Sequence, residues 1–472
     1  MLNRPHKILI ANRGEIAIRI ARACIELGHE FVCVFTEADR ESGHVRFAVE
    51  NGGSGALFKI SSYRDANEIF SVADKVMATA IHPGYGFFAE DFRFARRVVE
   101  RNNPLIFIGP SWWVIQELGD KINTKRLARS LGVPTVPGSD RPIYDELEAV
   151  ELAESLFAFQ HEQGLQAPAI MVKASAGGGG MGIEEVGDPD EFRSVYRRIR
   201  NYAKRQFNDE GVLIEQRIYG FNHLEVQVVS ERSGKKHVHF GTRNCSVQSS
   251  GNQKRIEVAP GFAPDEIHYI FDAGDLLESI TGHSLSMARE VGYDSVGTWE
   301  WIVTPRGEPF LMEVNTRIQV ENGVSAAIAS LKGNDGVDIV REQIRLGLGG
   351  GMDYSQQEIS LSGVALEYRI IAENPAEDFC PWVGTITEFG WQKTDWLQVH
   401  TQVPTDRPYE IPTEFDPNLA LAIVRGDSLR QVRERGVQFL KGLKLNGADR
   451  HGRSLESNIS YLIERTTRLL EF

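Results

Sequence analysis

The sequence predicts a multidomain protein of mixed α/β and α+β class, on three observations. Its 472 residues exceed the roughly 250 to 300 at which a single hydrophobic core stops growing, so about two to four domains are expected. Residues 7–35 run β-prone, helical, β-prone, a β-α-β unit of the kind that builds a parallel sheet buried on both faces. Two later stretches, 211–229 and 297–320, read as strands with alternation and a hairpin turn.

Taken in order, residues 7–11 are a strand, Asn12-Arg13-Gly14 a tight turn, and Ile16, Ile20, Cys24 and Leu27 the apolar stripe of a helix that Gly28 ends. Residues 31–35 and 105–108 are further continuous β runs, the second stopped by Gly109-Pro110. The segment up to about residue 118 is thus one doubly wound α/β domain. Prolines 134 and 137 stiffen a connector, a helix runs to about residue 162, and a strand at 169–173 leads into four glycines, Gly177 to Gly180, the tip of a small lid. Gly347, Gly349, Gly350 and Gly351 mark a flexible junction that opens a last domain at about residue 355. No fixed-period repeat is visible.

Hydrophobic residues make up 42% of the chain and charged residues 25%, which excludes a disordered, collagenous or coiled-coil protein. The 52 basic and 65 acidic residues leave a net charge of -13, so neither a nucleic-acid groove nor an anionic membrane is the expected partner. A local phosphate pocket remains open. None of the four cysteines forms a CxxC pair, and Cys24 and Cys33 lie in apolar surroundings, as expected of a reducing cytoplasm. No stretch resembles a signal peptide or a membrane span, so a soluble, unexported chain is expected.

Three constellations carry possible chemistry. Four glycines after a strand leave bare N–H groups that can close on phosphate, although the spacing is not that of a Walker loop: the nearest lysine, Lys173, precedes them. Gly84-Tyr-Gly86-Phe-Phe-Ala89 matches a dinucleotide fingerprint in spacing only, without a clean strand before it. The segment GTWEWIVTPRGEPFLMEVN turns at residues 305–308 and sets Glu300 opposite Glu313; two such charges repel unless screened by solvent or neutralised. The flanking Trp299, Trp301 and Met312 favour neutralisation by a hard divalent cation, Mg²⁺ by preference. If that strand continues, Glu313, Asn315, Arg317, Gln319 and Glu321 share one face, either an amphipathic edge or a clamp for a small oxyanion with a base beside it.

These strings together resemble biotin carboxylase, the ATP-grasp component of biotin-dependent carboxylases. The match includes ILIANRGEIAIRI, EADRESGHV, AIHPGYGFFAED, FIGP, LGDK, GVPTVPGS, VKASAGGGGMG, NTRIQVE and EYRIIAENP. The resemblance implies a Rossmann-like domain over residues 1–118, an ATP-grasp domain over 119–345 with a glycine-rich lid at about 136–215, and a β-rich C-terminal domain over 355–472. It implies ATP contacts from Lys121, Lys173, Gly177, Gly178, Gly179, Gly180, Glu215 to Ile218, His223 and Gln248. Glu300, Glu313 and Asn315 resemble ligands of Mg²⁺ or Mn²⁺. Lys254, Arg317, Gln319 and the Val320 backbone resemble the bicarbonate cradle, Glu321 the base that deprotonates bicarbonate, and Arg369 the arginine that stabilises the biotin enolate.

The implied reaction is ATP- and bicarbonate-dependent carboxylation of biotin through carboxyphosphate. No Met-Lys-Met lysine hairpin occurs, so the biotin carboxyl carrier protein and the carboxyltransferase are expected on separate chains, and a homodimer is implied. Some positions depart from the family pattern: Ala176, Met181, Asn244, residues 249–252, Asn322 and Leu419-Ala420. They keep two alternatives open, an ATP-grasp ligase with another carboxyl acceptor and a weakly active scaffold subunit.

Overall fold

The computed structural model describes residues 5–175, 182–249 and 253–470. The first β-α-β unit begins a five-stranded parallel sheet in the order Leu57–Lys59, Glu30–Phe35, Lys7–Ile10, Ala80–His82, Ile106–Phe107. From Lys7–Ile10 the chain first builds outward on one side and then returns to build on the other. The topological switch point therefore lies between Lys7–Ile10 and Ala80–His82, where doubly wound sheets form their crevice. The turns after these two strands interlock. Asn12 donates to the carbonyls of Pro83 (2.6 Å) and Tyr85 (2.7 Å). Gly84 sits at φ 64°, with a would-be Cβ only 2.7 Å from the Asn12 amide. A short strand, Ala80–His82, does precede the G-x-G turn, contrary to the sequence reading, but three residues were too few to show as a β run.

The expected helix forms as Gly14–Glu26 with Ile16, Ile20 and Cys24 buried. Cys24, Cys33 and Cys245 are buried free thiols and Cys380 is exposed.

The chain folds into two compact units, one of residues 1–119, 223–300 and 314–472, the other of residues 120–222 and 301–313. In the first, a sheet runs Asn222–Ser230, His237–Gln248, Lys254–Ala259, Val364–Ile371, Asn418–Gly426, Leu397–Thr401, with residues 296–300 of the strand Val296–Val303 beside Asn222–Ser230. In the second, Val212–Gln216 and Ile183–Val186 flank Ile170–Ala174 in an antiparallel sheet. Helices Glu146–Glu162 and Phe192–Phe207 bury Leu156, Phe157, Phe192 and Tyr196 in a core shared with Ile170, Val172 and Ile214.

Two strand expectations change. Residues 211–229 form two strands in different sheets: Val212–Gln216 pairs with Ile170–Ala174, whereas Asn222–Ser230 pairs with His237–Gln248. Alternation by itself does not say which neighbour a strand takes. The strand expected to reach Glu321 ends at Asn315. There the Glu90 carboxylate accepts the Thr316 N–H (3.3 Å), and Asn322–Ile328 begins a helix directly after Glu321.

Candidate active site

Side chains alternate along a strand, so His223, Glu225 and Gln227 share one face, as do Arg243 with Cys245, Thr298 with Glu300, and Glu367 with Arg369. Apart from Arg369, which is half-buried, these residues are buried although most are polar. Buried polar groups must satisfy one another. Arg243 donates to Glu225 (2.9 Å), Gln227 (2.7 Å), Ser325 (3.2 Å) and Thr298 (3.1 Å), which uses its whole fork.

Lys254 is the hub. Its Nζ donates to Glu225, to Glu321 (2.9 Å) and to Glu300 (3.2 Å), so the three protons of the ammonium have three carboxylates. Burial disfavours the charged lysine, yet Glu225 and Glu321 outweigh it and hold the ammonium well above the usual range. Glu321 is 0% exposed and also accepts from Arg369 (3.1 Å), whose Nε donates to Glu257 (2.7 Å). Burial pushes the Glu321 carboxyl up, but Lys254 and then Arg369 pull it well below the carboxylate range, so it is ionised.

Glu300 collects three donors besides Lys254. Asn315 Nδ2 lies at 2.7 Å, Gln319 Nε2 at 3.1 Å and His223 Nε2 at 3.0 Å, and with Lys254 they outweigh burial and keep Glu300 ionised. His223 turns its other nitrogen to the Gln248 amide (3.0 Å). Burial works against a charged His223, but Glu300 raises its affinity for a proton above the ordinary value. Arg317 donates to Glu90 (2.8 Å), Gln319 (2.9 Å) and Asn315 (3.1 Å).

Residues 315–321 therefore deliver their polar groups to one place without being a strand; a loop brings Arg317, Gln319 and Glu321 together where a continuous ladder was expected. Val320 lies in the turn, its carbonyl 3.4 Å from the Asn322 amide.

In the second unit, Asp120 caps the helix Lys121–Ser130 through the N–H groups of Ile122 and Asn123. That helix carries Lys121 and Lys125 one turn apart. Lys121 pairs with Glu313 (2.8 Å). Lys125 and Lys173 both clasp Glu215; burial pushes this carboxyl up, but the two lysines bring it down to about 2. Ile218 is buried with Val136 and Ile302. The glycines Gly177 to Gly180, with Ala176, Met181 and residues 250–252, lie outside the described residues.

Glu300 and Glu313, expected to need neutralisation, each meet a cation of the chain itself, Lys254 for the first and Lys121 for the second. The hard oxygens of Glu300 and Asn315, 2.7 Å from the Asn315 amide nitrogen to the carboxylate, still suit Mg²⁺. A tighter cluster of His223, Glu225 and Glu300 also has metal-ligand spacing. Lys254 already lies on two of its three members, so its charge is balanced by the ammonium.

Sequence reading missed Glu225, Arg243, Lys125, Glu90, Glu257 and Glu367. The signal for Glu225 was present in HLEVQVV, polar at every second position of an otherwise aliphatic strand. Glu90 gave none, since it meets Arg317 across 227 positions.

The sequence matches the family model described as the biotin carboxylase N-terminal domain over residues 4–115. It matches the ATP-binding domain of the carbamoyl-phosphate synthase L chain over residues 120–354 and the biotin carboxylase C-terminal domain over residues 367–460. It is 38% identical over 420 residues to the 2-oxoglutarate carboxylase small subunit of Hydrogenobacter thermophilus, covering 89% of this chain and 82% of that protein. It is 36% identical to the biotin carboxylase of a Nostoc species, over 93% of this chain and 92% of that one. Among solved structures, the biotin carboxylase domain dimer of the Hydrogenobacter enzyme, in complex with MgADP, ADP and bicarbonate, superposes with a TM-score of 0.83 at 34% identity, covering 98% of this chain and 94% of that one. The chain belongs to the biotin carboxylase family of ATP-grasp ligases.

Proposed function

We propose that this chain carboxylates biotin borne on a separate carrier protein, spending ATP and bicarbonate and passing through carboxyphosphate. The observation that carries this reading is the chain Lys254–Glu321–Arg369, a wholly buried carboxylate held between an ammonium and a guanidinium beside Arg317 and Gln319.

All three Lys254 protons are committed, so bicarbonate binds there only by taking one of them. As the anion draws Lys254 away, Glu321 loses the largest influence that keeps it ionised, and its affinity for a proton rises when a base is needed. Glu321 then takes the bicarbonate proton, and the bicarbonate oxygen attacks the terminal phosphorus of ATP, displacing ADP and giving carboxyphosphate. Carboxyphosphate breaks to CO₂ and phosphate, the phosphate removes the ureido proton, and the biotin nitrogen captures CO₂. Arg369 faces the enolate oxygen. Arg317 and Gln319 orient bicarbonate; Lys121, Lys173 and the glycines Gly177 to Gly180 hold phosphates; Glu215, Ile218, His223 and Gln248 line the nucleotide. Glu300, Asn315 and, on resemblance, Glu313 would hold Mg²⁺ or Mn²⁺, which would screen phosphoryl charge.

The same reading includes a homodimer, separate carrier and carboxyltransferase chains, a cytoplasmic location and domains at residues 1–118, 119–345 and 355–472. It is supported by a relative that is a carboxylase small subunit and another whose domain crystallised as a dimer. Among the described residues, no helix is long and apolar enough to cross a membrane.

ADP release measured with and without bicarbonate and free biotin, alongside carboxybiotin, tests the function. Release should require bicarbonate and rise with biotin. Bicarbonate-dependent release that ignores biotin and yields no carboxybiotin would move the chain to a ligase with another acceptor.

A further inference from the structure

Beside Arg369, two strands place Glu257 and Glu367 directly opposite each other. The antiparallel register of Lys254–Ala259 with Val364–Ile371 pairs Glu257 with Glu367 and Val258 with Leu366. Directly opposed side chains have Cβ atoms about 4.5–5.5 Å apart, and like charges there are destabilising. Both glutamates are buried, at 0% and 1% exposure. Water cannot screen them.

Their partners are unequal. Glu257 accepts Arg369 Nε at 2.7 Å and Nη2 at 2.6 Å. Among the described residues, Oε2 of Glu257 and Oε1 of Glu367 have no hydrogen-bond donor. Glu257 and Glu367 are register partners, and one shared proton would satisfy a buried carboxylate oxygen that lacks a donor on each. On the far strand Ile423 is the partner of Glu367, and Gly323 lies beside Ile423 and Glu367. The charged or titratable groups that bear on the pair are Arg369, Lys254, Glu321, Cys245 and Glu15.

We propose that Glu257 and Glu367 form one hydrogen-bonded carboxyl–carboxylate pair, in which Glu367 keeps a proton and donates it to Glu257, and the single remaining charge on Glu257 positions the Arg369 guanidinium. Burial and the neighbouring carboxylates agree with this order. They push Glu257 up to about 7 against the pull of Arg369, and Glu367, with Glu257 as its strongest neighbour, lies well above the usual range. Glu257 and Glu367 are positioning residues that act through Arg369. The consequence for turnover rests on the biotin carboxylase reading above; the shared proton does not.

The test has two arms on the full-length protein. In infrared difference spectra at pH 8, wild type minus Glu367→Gln should show the C=O stretch of a protonated carboxyl that shifts in D₂O. A difference holding only ionised-carboxylate bands overturns the proposal. In the second arm, Glu257→Gln should lower carboxybiotin formed per ADP released by about tenfold or more, the scale of one lost charged hydrogen bond, while ADP release itself falls far less. Glu257→Asp, which keeps the charge, should recover part of that ratio. An equal fall in both products, or no rescue by Asp, overturns the positioning role. If Glu257→Gln fails to fold, the infrared arm and Glu257→Asp still decide. The protonated band in a wild type that makes no carboxybiotin would break the functional reading and spare the pair; carboxybiotin without the band would break the pair alone.

Discussion

Two charged clusters, one in each compact unit, are built from the same side chains and reach opposite balances. In the second unit a single carboxylate, Glu215, is shared by Lys125 and Lys173, which leaves a surplus of positive charge. In the first unit Glu225, Glu257, Glu300, Glu321 and Glu367 face Arg243, Lys254 and Arg369, which leaves a surplus of carboxylates. A cationic surplus attracts phosphate oxygens. A carboxylate surplus attracts protons, a divalent cation, or both, and it can donate a site where bicarbonate gives up its proton. The sheets explain the difference: a three-stranded sheet flanked by two helices offers few buried polar positions, whereas in the first unit Asn222–Ser230 alone supplies His223, Glu225 and Gln227, and other strands add Arg243, Glu257, Glu300 and Glu367.

The largest break in this comparison should come from Lys254→Met. Removing one partner of a buried ion-pair cluster costs about 3–5 kcal/mol, and here it strands three glutamates at once. Urea denaturation should show that loss together with the disappearance of bicarbonate-dependent ADP release; a cost under about 1 kcal/mol, the range of exposed pairs, would mean the hub is wet.

Glu321→Gln and Arg369→Ala should then fail at different steps. A general base contributes about 10²- to 10⁴-fold, so Glu321→Gln should suppress ADP release by that order with or without biotin. Arg369→Ala should keep appreciable ADP release and lose most carboxybiotin. Proportional loss of both products in Arg369→Ala would remove its later role.

In the second unit, Glu215→Gln should leave two neighbouring ammoniums without their anion and cost about 1–3 kcal/mol, the price of an unpaired buried polar group. Added tripolyphosphate should raise the melting temperature of this variant more than that of the wild type, since the anion replaces the missing carboxylate. Equal shifts in both proteins would mean that the lysines do not face a phosphate site.

The smallest effect is a pair of opposite pH slopes. Glu215 ionises at about 2 in the fold against about 4.3 in an unfolded chain. Its stabilisation is therefore complete above the unfolded value and fades as pH falls through about 2. Glu257 is raised to about 7, so its contribution is complete below about 4.3 and fades as pH rises through 7. Denaturation midpoints across that range should lose the acid decline in Glu215→Gln and the neutral decline in Glu257→Gln.

The local elements were legible because each rests on short-range rules. Ile16, Ile20 and Cys24 form a stripe that only a helix buries on one side. The turn at residues 305–308 joins Val296–Val303 to Pro309–Asn315 as the residues require. The strings NTRIQVE and EYRIIAENP hold Arg317, Glu321 and Arg369, the hairpin reading gave Glu300 and the family resemblance Lys254, and these five do meet in the first unit.

What the sequence by itself determined was therefore the type of each element, the alternation that makes one strand face polar, and the family. Only the tertiary structure decided which strand lies beside which. That choice stopped the strand at Asn315 and set Glu90 against Arg317, Glu225 against Lys254 and Glu257 opposite Glu367. The physical reason is that burial and partnership of a charge depend on residues tens or hundreds of positions away. A glutamate reads the same in sequence whether water, a lysine or another glutamate faces it, and only the register of the sheet tells these apart.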